Sequence, residues 1–134
     1  MTSTLNIHIE KIKKSHVTEH DINNVPFGKC FSDHMFVADY TDGQWQDLRI
    51  VPYADMTFSP ALMALHYGQS IFEGMKAYKD EAGDVFLFRA QKNFERFNKS
   101  AKRLAIPEIP EEVFIGGLKA LVDMDREWVP AGIG

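Results

Sequence analysis

The sequence predicts an α+β domain in which a mostly antiparallel sheet, built from hairpins, is covered by two amphipathic helices. Three observations carry that expectation. Two β-rich runs, 33–40 and 45–53, flank Asp42-Gly43, a dipeptide suited to the left-handed backbone of a tight hairpin turn. A second pair of short runs, 75–79 and 85–89, flanks the turn residues 80–84. From Ala90 onward the spacing of apolar residues becomes helical, with one interruption at Pro107 and Pro110. Strands first and helices afterwards is the order of an α+β fold.

Length and composition bound the rest. The chain has 134 residues, the size of one domain, and 45% apolar with 25% charged residues is ordinary globular composition. A net charge of -4 and a pI near 5.7 argue against a general nucleic-acid binder, which needs an excess of Lys and Arg. The single cysteine, Cys30, excludes an internal disulfide framework and a multi-cysteine metal cluster, and it fits a reducing compartment. No apolar run reaches the length of a membrane span, and Met1 to Leu5 lack the basic and apolar regions of a leader. A soluble, cytoplasmic protein is expected. The chain stops on apolar residues from Trp128 to Gly134 without a polar tail, as a fragment of a longer protein would.

Taken in order, Leu5, Ile7 and Ile9 alternate with polar residues and predict a first short strand. Residues 11–24 are polar and aperiodic and read as an arm, so that 1–24 form an arm with a first strand. Within the arm His16 and His20 stand four apart, but the glutamate of the zincin pattern does not follow the first histidine, and a solvated segment is the simpler reading. Val25-Pro26-Phe27-Gly28-Lys29 is a turn that carries an aromatic residue. Cys30, Phe31, His34, Phe36 and Tyr40 lie on or beside the first hairpin as packing residues, and Lys29 alone is a weak activator for a thiolate.

Ser59-Pro60 opens a short helix over 61–67, because serine can cap free amides and proline at the first position loses no hydrogen bond. Gly68 stops it, leaving Tyr67 at its end. After the second hairpin, Phe94, Phe97, Ala101 and Leu104 form the apolar stripe of a helix over 90–105. Lys92, Arg96, Lys99 and Arg103 form a basic stripe on it, which reads as a solvated face within which one arginine could serve an anion. Glu111-Glu112 then open a second helix, with Val113, Leu118, Leu121, Val122 and Trp128 inward. Asn98-Lys99-Ser100 matches a glycosylation acceptor, but lies mid-helix.

Complete catalytic sets are absent from the sequence: no P-loop, no GxGxxG turn, no GxSxG elbow and no cysteine–histidine metal spacing. Glu73, between Phe72 and Gly74, is read as a partner for turn amides before a general base. What remains is a binding surface. Phe27, Tyr67 and Phe72 lie on turns, backbone is bare at Gly68 and Gly74, and a basic helix follows. Aromatic walls accept apolar groups, and an arginine fork accepts phosphate or carboxylate.

Three blocks carry a closer likeness: 27–35 (FGKCFSDHM), 65–78 (LHYGQSIFEGMKAY) and 93–104 (NFERFNKSAKRL), followed by 126–130 (REWVP). In this order and spacing they closely resemble the N-terminal part of branched-chain amino-acid aminotransferases, over about 25–130. The resemblance implies the small domain of a two-domain, fold-type IV pyridoxal-phosphate enzyme, so that 1–134 is that domain and the C-terminal domain is absent from the chain. It implies that Arg96 holds the cofactor phosphate and that Phe27, Tyr67 and Phe72 enclose the substrate side chain. It also implies transfer of amino groups between Leu, Ile or Val and 2-oxoglutarate, with amino-acid and 2-oxo-acid substrates as partners and a homodimer as assembly. The sequence departs from the family in one respect: the Schiff-base lysine belongs to the C-terminal domain, and no lysine here matches it. No catalytic residue is therefore expected in this chain, and the chain alone is expected to be inactive. A D-amino-acid aminotransferase, an aminodeoxychorismate lyase, or a non-catalytic small-domain module is the alternative.

Overall fold

A computed structural model describes residues 5–131. The expectations about Met1 to Thr4 and about the final Gly132 to Gly134 lie outside the described residues. The elements are β1 (His8–Ile9), β2 (His34–Thr41), β3 (Gln44–Pro52), α1 (Met63–Tyr67), β4 (Ala77–Lys79), β5 (Val85–Leu87), α2 (Ala90–Arg103) and α3 (Glu111–Met124), with 3-10 turns at Val17–Glu19 and Arg126–Trp128.

The first hairpin forms where the Asp-Gly signal stands. Tyr40 pairs with Trp45 and Thr41 with Gln44, while Asp42 and Gly43 take φ of 54° and 80°. Both values are left-handed, so the turn supplies the twist that two strands joined by two residues need. Strand pairing is mostly antiparallel, but it is divided between two sheets and includes one parallel pair. β1 runs parallel to β3, with His8 opposite Arg49 and Ile9 opposite Ile50, making a mixed three-stranded sheet ordered β1-β3-β2. The β4–β5 hairpin is a separate two-stranded antiparallel sheet. Alternation at Leu5, Ile7 and Ile9 marks a strand without marking its direction, and the long arm after it permits the parallel pairing.

The core lies between the first sheet and the helices. Ile50 is fully buried in β3, and Ala101, Ile109, Val113 and Val129 are the other buried apolar residues among those described. Phe94 and Phe97 of α2 meet Phe114 of α3 with ring centroids 5.7 and 5.3 Å apart, at the tilted angles aromatic quadrupoles favour. α3 lies against β2, where Gly117 makes room for Phe36: a Cβ there would fall 2.4 Å from the ring. Leu104 departs from the predicted stripe, because the helix ends at Arg103 and leaves Leu104 41% exposed. Asn98 uses both ends of its amide on Ile109, at 2.8 and 2.9 Å, and so pins the proline-containing link to α2.

The arm is tied down by two adjacent residues. Asp33 accepts hydrogen bonds from Ser15 Oγ at 2.6 Å, the His16 amide at 3.0 Å and Trp128 Nε1 at 2.8 Å. Burial raises the Asp33 pKa, but these bonds and the nearby His16 outweigh it, so the net shift is downward. His34 faces Asp125: its amide donates to Oδ2 at 2.9 Å and its Nδ1 lies 2.6 Å from Oδ1. The Ile12 amide donates to His34 Nε2 at 3.1 Å, which assigns the ring proton to Nδ1. The two arm histidines are used separately, His16 beside Asp33 and His20 against the Trp128 ring at 5.7 Å. No helix among the described residues is long and apolar enough to cross a membrane.

Candidate functional site

The site is built where the stretch 65–78 crosses α2. α1 begins at Met63, later than Ser59-Pro60 predicts, since Ser59 Oγ takes the Ala61 amide in a turn and Leu62 is extended at ψ 127°. Gly68 ends α1 with φ 62°, a left-handed residue that glycine adopts without a Cβ penalty. Two side chains then clamp the stretch to α2. Gln69 Nε2 donates to the Leu104 carbonyl at 2.8 Å, and Asn93 Nδ2 donates to the Gly74 carbonyl at 3.1 Å.

Between those clamps lies the Glu73 carboxylate. Its side chain is only 6% exposed and meets four donors: Arg96 through Nε at 2.8 Å and through Nη2, Asn93 Nδ2 at 3.1 Å, and the Gly74 amide at 3.1 Å. The Arg96 hydrogen bond is the main reason that the Glu73 pKa falls from the usual 4.5 to about 2, with burial opposing and Asn93 and Gly74 assisting. At neutral pH it is charged, and so strong an acid is a poor proton acceptor. The sequence reading of Glu73 as a partner for turn amides is thus met at Gly74, while its principal partner is an arginine 23 residues away.

Arg96 therefore presents one edge to Glu73, and its Nη1 has no hydrogen-bond partner among the described residues. Its side chain is 66% exposed and borders a groove of about 600 Å³, together with Lys76, Tyr78, Arg89, Lys92 and Asn93. Four cationic side chains border this groove, and although Lys92 is paired with Glu95 at 2.6 Å, their excess charge makes its potential positive. Arg96 also borders a second hollow of about 440 Å³ with Ile71, Lys99, Ser100 and Arg103. Arg89 takes φ 54° at the N-terminal end of α2, a conformation unusual for a side chain of its size. Sequence reasoning missed Arg89 and Lys76; the three- and four-residue steps from Arg89 to Lys92 to Arg96 were a signal for the first. Lys76 comes from the hairpin stretch, and helical spacing holds no information about it.

The aromatic candidates sit differently. Phe27, Tyr67 and Phe72 are 105%, 78% and 90% exposed, each at the surface rather than in an enclosed pocket. The structure brings Arg96, Asn93 and Glu73 together but does not gather these three rings around a cavity.

Comparison with known proteins gives this arrangement a context. Over 132 residues the chain is 47% identical to branched-chain-amino-acid aminotransferase 2 of Bacillus subtilis (strain 168), covering 98% of this chain and 36% of that protein. It is 52% identical over 115 residues to a protein of Staphylococcus epidermidis named "Probable branched-chain-amino-acid aminotransferase", covering 85% and 32%. The chain is homologous to part of the branched-chain-amino-acid aminotransferases. A third such aminotransferase, from Mycolicibacterium smegmatis, is 46% identical over 119 residues, 88% of this chain and 32% of the relative. The chain thus spans about a third of the length of the curated branched-chain aminotransferases it matches. No protein-family model matches it.

Proposed function

We propose that this chain is the N-terminal small domain, residues 1–134, of a branched-chain amino-acid aminotransferase that uses pyridoxal 5'-phosphate. The whole enzyme transfers the amino group between Leu, Ile or Val and 2-oxoglutarate. The observation that carries this reading is Arg96, held through Nε and Nη2 by Glu73 and bordering a groove that Lys76, Arg89 and Lys92 also line. That geometry fits a phosphate dianion, which takes parallel bonds from guanidinium and gains from further positive charge nearby. When bound, the cofactor supplies an electron sink for breaking the bond to the α-hydrogen of the amino acid.

In this reading Arg96 anchors the phosphate and thereby fixes where the reactive end of the cofactor lies. Lys76, Arg89 and Lys92 add attraction without a fixed direction. Phe27, Tyr67 and Phe72 form one side of the pocket for the branched side chain. Their exposure in this chain supports walls that meet further protein, because discrimination by one methylene is worth about 1–3 kcal/mol and needs contact on all sides. The lysine that carries the cofactor and moves the proton belongs to the C-terminal domain, so this chain alone is inactive. The enzyme is cytoplasmic and a homodimer, and its partners are small amino and 2-oxo acids.

The test is Arg96→Ala in the full-length protein, with cofactor affinity measured by equilibrium titration of the apoenzyme. Loss of the charged contact should weaken pyridoxal phosphate by about a hundredfold, the worth of a charge-assisted pair of bonds. Unchanged affinity removes the assignment.

A further inference from the structure

We infer that Glu73 is a positioning residue for anion binding: it acts through Arg96, holding the guanidinium edge-on so that Nη1 faces the cationic groove. The inference rests on the reading of Arg96 as phosphate ligand and extends it to a residue that touches neither phosphate nor substrate.

Two opposite effects of Glu73 must be weighed. Its negative charge beside Arg96 lowers the local positive potential, which by itself weakens an anion. Its bonds to Nε and Nη2 restrain an otherwise mobile, largely exposed side chain, which strengthens an anion by removing the entropy cost of ordering it. Placement decides between them. Glu73 does not border the cationic groove; it borders the apolar hollow beneath, beside Phe36, Met75, Phe97 and Phe114. It therefore stands behind Arg96, not in front of it. Lys76 and Arg89 keep the groove positive after Glu73 has offset Arg96 and Glu95, 2.6 Å from Lys92, has offset that lysine. The attraction survives and the orientation is gained.

The arrangement is also braced. Asn93, one turn before Arg96 on α2, donates to both Glu73 Oε1 and the Gly74 carbonyl, and the Gly74 amide donates to the same Oε1. The carboxylate is thus held by donors other than Arg96 as well. A Gln at position 73 would turn one N–H donor toward the N–H donors of the guanidinium, so it removes the clamp while keeping size and most packing.

The experiment titrates the full-length apoprotein with pyridoxal phosphate and, separately, with pyridoxal, which lacks the phosphate. Glu73→Gln should weaken pyridoxal phosphate by about tenfold while pyridoxal changes by less than about twofold. Asn93→Ala, which leaves the ion pair but frees the carboxylate, should show the same selectivity at about threefold, and it carries the test if Glu73→Gln does not fold. Equal weakening of both compounds would assign Glu73 to folding alone and overturn the inference. So would tighter binding of pyridoxal phosphate, the mark of a purely coulombic effect. Arg96→Ala separates the two readings. If it leaves the preference for pyridoxal phosphate intact, the phosphate assignment fails. If it abolishes that preference and Glu73→Gln does not reduce it, only the positioning role fails.

Discussion

The Glu73–Arg96 pair makes a pH prediction that can be worked through. Glu73 titrates near 2 in the folded chain instead of the usual 4.5, mainly because Arg96 donates to it. At about 1.36 kcal/mol for each tenfold in acidity, that difference corresponds to about 3 kcal/mol. The arginine is 66% exposed, so water and salt screen the pair, and about 1–2 kcal/mol is the realistic share. A pKa lowered by folding contributes stability that is fully present above the unfolded value. It is lost as pH falls from that value through the folded one. Urea unfolding of the 134-residue chain and of its Glu73→Gln variant, from about pH 6 down to about pH 2, isolates the contribution, since other acids cancel in the difference. The gap should be about 1–2 kcal/mol at the upper end, shrink below about pH 4.5 and be mostly lost by about pH 2. A gap that stays constant with pH would refute the charged clamp and leave only shape.

Two further outcomes follow from packing and exposure. Gly117→Ala gains about 1 kcal/mol of helix propensity, yet its new methyl would lie 2.4 and 2.5 Å from two Phe36 ring carbons, and overpacking of this kind costs about 1–3 kcal/mol. The variant should be less stable in urea and should recover when Phe36→Leu is added; a more stable single variant would mean that the ring moves aside freely. Phe72→Ala should change stability by less than about 0.5 kcal/mol, as its ring is 90% exposed in this chain. In the full-length enzyme it should alter the relative kcat/KM for Leu and Val by about fivefold, and equal losses for both substrates would count against a side-chain pocket.

Much of the scaffold is legible in the sequence because its signals are local. Asp42-Gly43 between alternating runs specifies a hairpin, and α2 and α3 begin where the helical spacing begins. Where two signals compete, the reading fails. Ser59-Pro60 is a good helix opening, but Ser59 spends its hydroxyl on a turn and the helix starts three residues past Pro60, at Met63. The second hairpin shrinks to three residues on each side, since ladder pairing extends only from Ala77–Leu87 to Lys79–Val85. Arg96 shows the other limit. Its basic stripe also contains Lys92, which pairs with Glu95 at 2.6 Å, and nothing in that spacing ranks one cation above another. The family resemblance named Arg96. The physical distinction is a carboxylate from the stretch between α1 and β4, which only the fold brings to it.

The same fold joins the two halves of the site. From Ile71 to Lys76 exposure alternates residue by residue: Ile71, Glu73 and Met75 are half-buried, while Phe72, Gly74 and Lys76 are exposed. The stretch is thus an extended segment with two faces, although no ladder defines it as a strand, and neighbours on such a segment point to opposite sides. Because Glu73 is fixed inward by four donors, Phe72 is fixed outward, and Lys76 faces the groove from the same outer side. A one-residue slip would expose a carboxylate and bury a phenylalanine, losing the Arg96 clamp in the same step. Arg96, proposed to anchor the phosphate, and Phe72, proposed to line the side-chain pocket, therefore stand in a fixed relation set by one buried charge. On those two proposals, specificity for a side chain and affinity for an anion depend on a single register, and a slip that displaces Glu73 disturbs both.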